Sequence, residues 1–277
     1  HLQCSRFDAL DSHLGAVRAI KSPFELALMT EAGRIHRQVL EDEVPALLEE
    51  GMSEAELGAE VLRLMLRAGH HGVARVAMFD TELFLGNVCF GDSSIRPNPF
   101  DGPGGLEGVG PAVPLFGSHS RRLRRGELVF LDVGCAVQGY HTDKTMTYAF
   151  GELPAVAETA QRRCVTVQDE AAAQMCPGAV PAAIYEDVMS RLDVEFRCNF
   201  MGFGDQQVRF LGHGVGLHID ELPVIAQGFD DPLEANMVLA LEPKKGLPRD
   251  WYGGDREYLR GHAAGGALID GDKPRAD

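Results

Sequence analysis

The sequence predicts an α+β fold built of two similar halves. Three observations carry that reading. Helical periodicity and short apolar runs follow one another in the order helices, strands, helices, strands. Two capping boxes, at Ser22 and Ser53, mark helix starts in the first half. No tandem repeat or low-complexity tract interrupts the order.

Residues 1–21 have mixed character and close on Arg18-Ala19-Ile20-Lys21. Ser22-Pro23-Phe24-Glu25 then supplies an N-cap serine, a proline at the first helical position and a glutamate to complete the box. Leu26, Met29, Ile35, Val39 and Leu40 recur near a period of 3.6 with Glu31, Arg34, Arg37 and Gln38 opposite, which predicts a helix packed on one side and running to about Glu49. Ser53-Glu54-Ala55-Glu56 opens a second helix through Leu57, Val61, Leu64 and Met65 that stops near Gly69. From Val73 to about Pro114, short apolar runs broken by Gly, Pro, Asn and Asp predict strands and loops. Glu127 to Asp132 reads as a buried strand and Lys144 to Phe150 as an alternating one, with a turn near Gln138-Gly139 joining them in a hairpin. Helices follow from Pro154 to about Met175 and from Pro181 to Leu192, and then strands around Phe210–Gly216 and Met237–Glu242.

Composition narrows the function classes. The 277 residues carry 26 Lys and Arg against 41 Asp and Glu, a formal net charge of −15. Such a surplus repels nucleic acid and anionic membrane, and the one basic cluster, Arg121-Arg122-Leu123-Arg124-Arg125, is too short to reverse it. No apolar stretch approaches the ~20 residues of a membrane helix and no signal-type segment opens the chain. Six scattered cysteines without a Cys-x-x-Cys pair predict buried thiols in a reducing, cytoplasmic compartment.

Four residues stand out against this background: Asp132 ending an apolar run, Asp143 eleven residues on, His213 between two glycines, and Glu242 ending another apolar run. Burying three carboxylates and an imidazole together is unfavourable unless a cation compensates. Carboxylate oxygens with one imidazole suit manganese, cobalt, iron or zinc. The segments Leu131-Asp132-Val133-Gly134, Tyr140-His141-Thr142-Asp143-Lys144-Thr145-Met146-Thr147, Gly212-His213-Gly214-Val215-Gly216 and Leu241-Glu242-Pro243-Lys244 resemble the metallopeptidase family of methionine aminopeptidases, Xaa-Pro aminopeptidases and prolidases.

That resemblance, closest to the Xaa-Pro peptidases, implies a pita-bread fold over residues 22–244 and a site holding two divalent ions (Mn, Co or Zn). Asp132 would chelate one ion, Asp143 bridge both, and His213 and Glu242 each hold one. Two cations would acidify a water and stabilise an oxyanion, with Glu242 handling the proton that passes to the leaving amine. The implied substrate is a short peptide and the implied assembly a homodimer. Residues 1–21 are expected to be the tail of an absent N-terminal domain or a linker.

Two departures qualify the resemblance. Where many members place a second histidine seven residues after the first, this chain has Asp220. His218 would share the face of Asp220 if the segment is extended, which makes both candidate substrate contacts. The family's last glutamate ligand falls on Arg256, in a segment too charged and glycine-rich for a buried strand, and the neighbouring Glu257 is a weak substitute. One permitted codon choice for residues 251–263, read one nucleotide later, encodes GMVGIENTYVVT, a strand with its glutamate in register. Residues 245–277 are therefore expected to be out-of-frame product that impairs the enzyme. Two other readings share the fold, a non-catalytic peptide-binding module and a creatinase-type amidinohydrolase; the retained carboxylates argue against the second.

Overall fold

The computed structural model describes residues 8–78, 81–96, 105–110, 113, 115–247 and 267–268. Cys4, Arg256 and Glu257 lie outside the described residues, as does all of the expected out-of-frame segment but 245–247 and 267–268. The helices are α1 (Asp11–Ala19), α2 (Pro23–Arg37), α3 (Glu54–Ala68), α4 (Ala155–Gln174), α5 (Pro181–Arg191) and α6 (Val194–Arg197). The strands are β1 (Ala74–Arg75), β2 (Glu82–Leu83), β3 (Gly86–Phe90), β4 (Glu127–Val137), β5 (Tyr140–Phe150), β6 (Gly202–Phe203), β7 (Gln206–Gln207), β8 (Phe210–Gly214), β9 (Glu221–Ala226), β10 (Val238–Leu241) and β11 (Ala267–Leu268).

Each half packs helices on its own antiparallel sheet. In the first, Ile35, Val39, Leu57, Val61 and Met65 lie against Val88, Val129 and Leu131 of the sheet ordered β3-β4-β5. In the second, Cys164, Val167, Ile184 and Val188 of α4 and α5 cover Leu211, Ile225, Leu239 and Leu241 of the sheet ordered β11-β10-β8-β9. Both expected capping boxes form, at Ser22 with Glu25 and at Ser53 with Glu56, and Gly69 closes α3 in the left-handed conformation.

Several expectations need correction. The first long helix does not stay α-helical to Glu49: it widens into a π-turn over Gln38–Glu43 and tightens into a 3-10 turn over Val44–Ala46, where Pro45 has no N–H to continue the ladder. The hairpin strands are longer than expected because their pairing runs unbroken from Glu127↔Phe150 to Val137↔Tyr140, so Asp132 sits inside a strand and not at its end. Gln138 and Gly139 both have positive φ, the requirement of a tight primed turn. Helix α1 and strand β9 have no counterpart in the expected elements. Cys89, Cys135 and Cys164 are buried as expected, but Cys176 is half-buried and Cys198 exposed.

Buried imidazoles make the fold acid-sensitive. Burial, reinforced by Lys144 and His70, lowers His36 to about 3, and burial lowers His70 and His141 to about 4. The unfolded chain binds these protons near pH 6.5, so the stability they contribute is complete above that value and is lost as pH falls toward 4 and then 3. Glu54, raised to about 7 by burial, and Asp143, raised by burial and its neighbouring carboxylates, act oppositely as pH falls, but they are two carboxyls against three imidazoles. The urea-unfolding free energy of the metal-free protein is expected to fall by roughly 1 kcal/mol or more between pH 7 and pH 4. A flat or rising profile contradicts this account.

Candidate metal centre

The site follows from two strand registers. In the β4–β5 hairpin Asp132 pairs with Thr145 and Gly134 with Asp143. Because side chains alternate along a strand, the eleven-residue spacing puts both aspartates on one face of the hairpin. In the second sheet His213 pairs with Ala240, and the Glu242 N–H donates to Leu211 O at 2.8 Å, which carries the same pairing one step on. His213 and Glu242 therefore share a face as well. Glycines flank His213 because a Cβ at Gly212 would strike the Ala240 carbonyl and one at Gly214 the Leu222 carbonyl.

The two faces meet at a cavity of about 630 Å³, lined by Asp132, Asp143, His213 and Glu242 together with His218, Asp220 and Arg18. Asp143, His213 and Glu242 are buried, and each offers one ligand atom within 4.8 Å of the other two. His213 Nε2 lies 3.6 Å from Asp143 Oδ2 and 3.7 Å from Glu242 Oε2. Its Nδ1 is 3.1 Å from the Gly214 carbonyl, a contact that fixes the proton there and leaves Nε2 for a metal.

Without a metal the cluster is electrostatically frustrated. Burial, then repulsion from Glu242 and Asp132, raises Asp143 well above the usual carboxylate range. Burial opposes the imidazolium of His213, but the hydrogen bond and charge of Glu242 and the charge of Asp143 outweigh it and hold His213 at about 9. Burial would raise Glu242, yet Lys244 and His213 pull it down to about 2. A hard cation relieves this arrangement, and the oxygen and imidazole donors fit one between Asp143, His213 and Glu242.

Asp132 lines the same cavity but stands outside the three-residue cluster. Its Oδ1 accepts from Thr145 Oγ1 at 2.5 Å and its Oδ2 from Lys244 Nζ at 3.1 Å. Thr145 and Lys244 belong to the quoted motifs, yet sequence reasoning gave neither a role. Thr145 was legible as the cross-strand neighbour of Asp132; Lys244, two residues past Glu242, had no sequence signal beyond its proximity.

His218 and Asp220 both reach the cavity, but not by the expected route. Residues 216–220 form a run of bends, not an extended strand, because pairing with β9 slips in register after His213. The Ala77 N–H donates to Asp220 Oδ1 at 2.6 Å, and the His218 N–H donates to Glu221 Oε1 at 2.8 Å. Glu221 also pairs with Arg18 of α1 and lies 3.6 Å from Lys21, which ties the segment before α2 to the cavity rim.

No helix among the described residues is long and apolar enough to cross a membrane. A family profile described as metallopeptidase family M24 matches residues 27–268. The chain is 28% identical over 245 residues to a probable dipeptidase PepE of Mycobacterium tuberculosis, covering 86% of this chain and 55% of that protein. It is 28% identical over 250 residues to an Xaa-Pro dipeptidase of Pyrococcus furiosus, covering 88% of this chain and 60% of that protein. The chain thus spans a little over half the length of these curated relatives. Among solved structures it resembles prolidase from Pyrococcus furiosus, with a TM-score of 0.69 at 24% identity over 94% of this chain and 65% of that one. It also resembles methionine aminopeptidase from Thermotoga maritima, with a TM-score of 0.62 at 20% identity over 91% of this chain and 95% of that one. These likenesses show the fold, which is the expected α+β pita-bread arrangement.

Proposed function

The chain belongs to metallopeptidase family M24, and on that premise we propose that it hydrolyses the first peptide bond of short peptides, with Xaa-Pro dipeptides the preferred class. The observation that carries the reading is the convergence of Asp143, His213 and Glu242 on one cavity. Its volume falls within the ~300–1,000 Å³ of small-ligand sites. The Xaa-Pro preference draws on the names of the relatives.

Asp143, His213 through Nε2, and Glu242 would hold a divalent ion, which we take to be Mn, Co or Zn. When bound, such an ion supplies Lewis acidity toward a water and the scissile carbonyl. Glu242, buried beside the cavity, would accept a proton from water and pass it to the leaving amine. His218 and Asp220, on the rim, contact the substrate, with Asp220 held in place by the Ala77 N–H. In this reading the expected second ion would use Asp132 and share Asp143. The enzyme is read as a cytoplasmic homodimer, with residues from 245 on out of frame; sedimentation checks the dimer and the gene sequence around codons 244–251 checks the frame.

The test strips the protein with a chelator, restores Mn, Co or Zn, and follows release of the N-terminal residue from an Xaa-Pro dipeptide, its Xaa-Ala counterpart and a tripeptide. Metal-dependent turnover that favours the Xaa-Pro dipeptide is expected. Tight peptide binding without turnover would favour the non-catalytic binding module instead.

A further inference from the structure

We infer that Lys244 is a tethered cation holding the place beside Asp132 that a second divalent ion would take, so that the chain binds one ion tightly and a second only by displacing the ammonium. This rests on the metal reading of the cluster proposed above. Lys244 is 0% exposed, and its Nζ sits 3.1 Å from Asp132 Oδ2, 3.3 Å from Glu242 Oε1 and 5.7 Å from the centre of the Phe130 ring. Its backbone is pinned too, since the Lys244 carbonyl accepts from the Met201 N–H at 2.8 Å.

The two oxygens of Glu242 divide the site. Oε2 faces His213 at 3.7 Å, on the side of Asp143, while Oε1 faces the ammonium. On the far side both oxygens of Asp132 are already engaged, one by Thr145 and one by Lys244. A first ion between Asp143, His213 and Glu242 meets no ammonium in its way. A second ion at Asp132 must break a buried charge pair, which is costly.

Charge gives the same answer. Asp132, Asp143 and Glu242 contribute three negative charges when ionised, and Lys244 with one divalent ion cancels them. A second divalent ion would leave a buried surplus of two positive charges unless the ammonium left or another carboxylate arrived.

The experiment is a Mn(II) titration of the full chain by equilibrium dialysis, with electron paramagnetic resonance to separate isolated from exchange-coupled ions. The wild type is expected to bind one ion per chain, with a second at least about 100-fold weaker. Lys244→Ala should tighten the second ion at least about tenfold and bring in the coupled-pair signal at concentrations where the wild type shows isolated ions only. Lys244→Met keeps the buried stem without the charge and serves if the alanine variant does not fold; it should shift the second ion in the same direction. Two equally tight ions in the wild type would overturn the inference while leaving the metal site intact, and so would a second-ion affinity unchanged in both variants. Binding of no ion by any of the three chains would overturn the metal reading and this inference with it.

Discussion

Asp143→Asn is expected to lower turnover of an Xaa-Pro dipeptide by at least about 1,000-fold and the affinity for Mn(II) by at least about 100-fold, while making the metal-free protein more stable. The opposite signs come from one cause. Asp143 is buried beside Glu242 and on the same hairpin face as Asp132, and that crowding raises it well above the usual carboxylate range. A neutral amide of the same shape removes the repulsion and also removes an anionic ligand. The gain in unfolding free energy should be about 1–3 kcal/mol at pH 8, where an ionised carboxyl is most strongly disfavoured by its neighbours. Chemical denaturation after chelator treatment reads this directly. A destabilised variant that still binds metal would mean that Asp143 is an ordinary structural carboxylate.

The second large effect lies away from the cavity. Glu54, the first residue of α3, is 0% exposed and accepts from the Phe90 N–H at 2.7 Å, the Ser118 N–H at 2.9 Å and the Ser93 hydroxyl. These bonds fasten α3 to the end of β3, and β3 in turn pairs Asn87 with Asp132. Glu54→Ala would leave the buried Ser118 N–H without its acceptor, at about 1–3 kcal/mol, while the Phe90 N–H would keep only Ser93 Oγ at 3.0 Å. We expect a loss of about 1–3 kcal/mol in urea unfolding, with Glu54→Gln costing less because its carbonyl oxygen still accepts. A loss below about 1 kcal/mol would show that water enters to satisfy those groups.

Much of this architecture was legible because it is written in local, periodic signals. Ser22 and Ser53 with their partner glutamates fix two helix starts, and the turn at Gln138-Gly139 with the apolar runs on either side fixes the hairpin that carries Asp132 and Asp143. What escaped depends on distant partners. Helix α1 is held by contacts such as Arg18 with Glu221, 203 residues apart, and its exposed Leu14 and Val17 give no one-sided apolar stripe to read. Strand β9 follows a run of bends whose register slip no single-sequence pattern reports. The same limit applies at the site. The sequence marked Asp132, Asp143, His213 and Glu242 as a set, but only the side-chain geometry separates the three that converge from Asp132, which faces an ammonium supplied by its own chain.

The most direct test of the central claim is the anomalous scattering of crystals grown with Mn(II). The account predicts a peak bounded by a carboxylate oxygen of Asp143, Nε2 of His213 and Oε2 of Glu242, lost in Asp143→Asn. An empty cluster in crystals of a protein that turns over Xaa-Pro peptides, or an ion bound elsewhere that supports turnover, would contradict it.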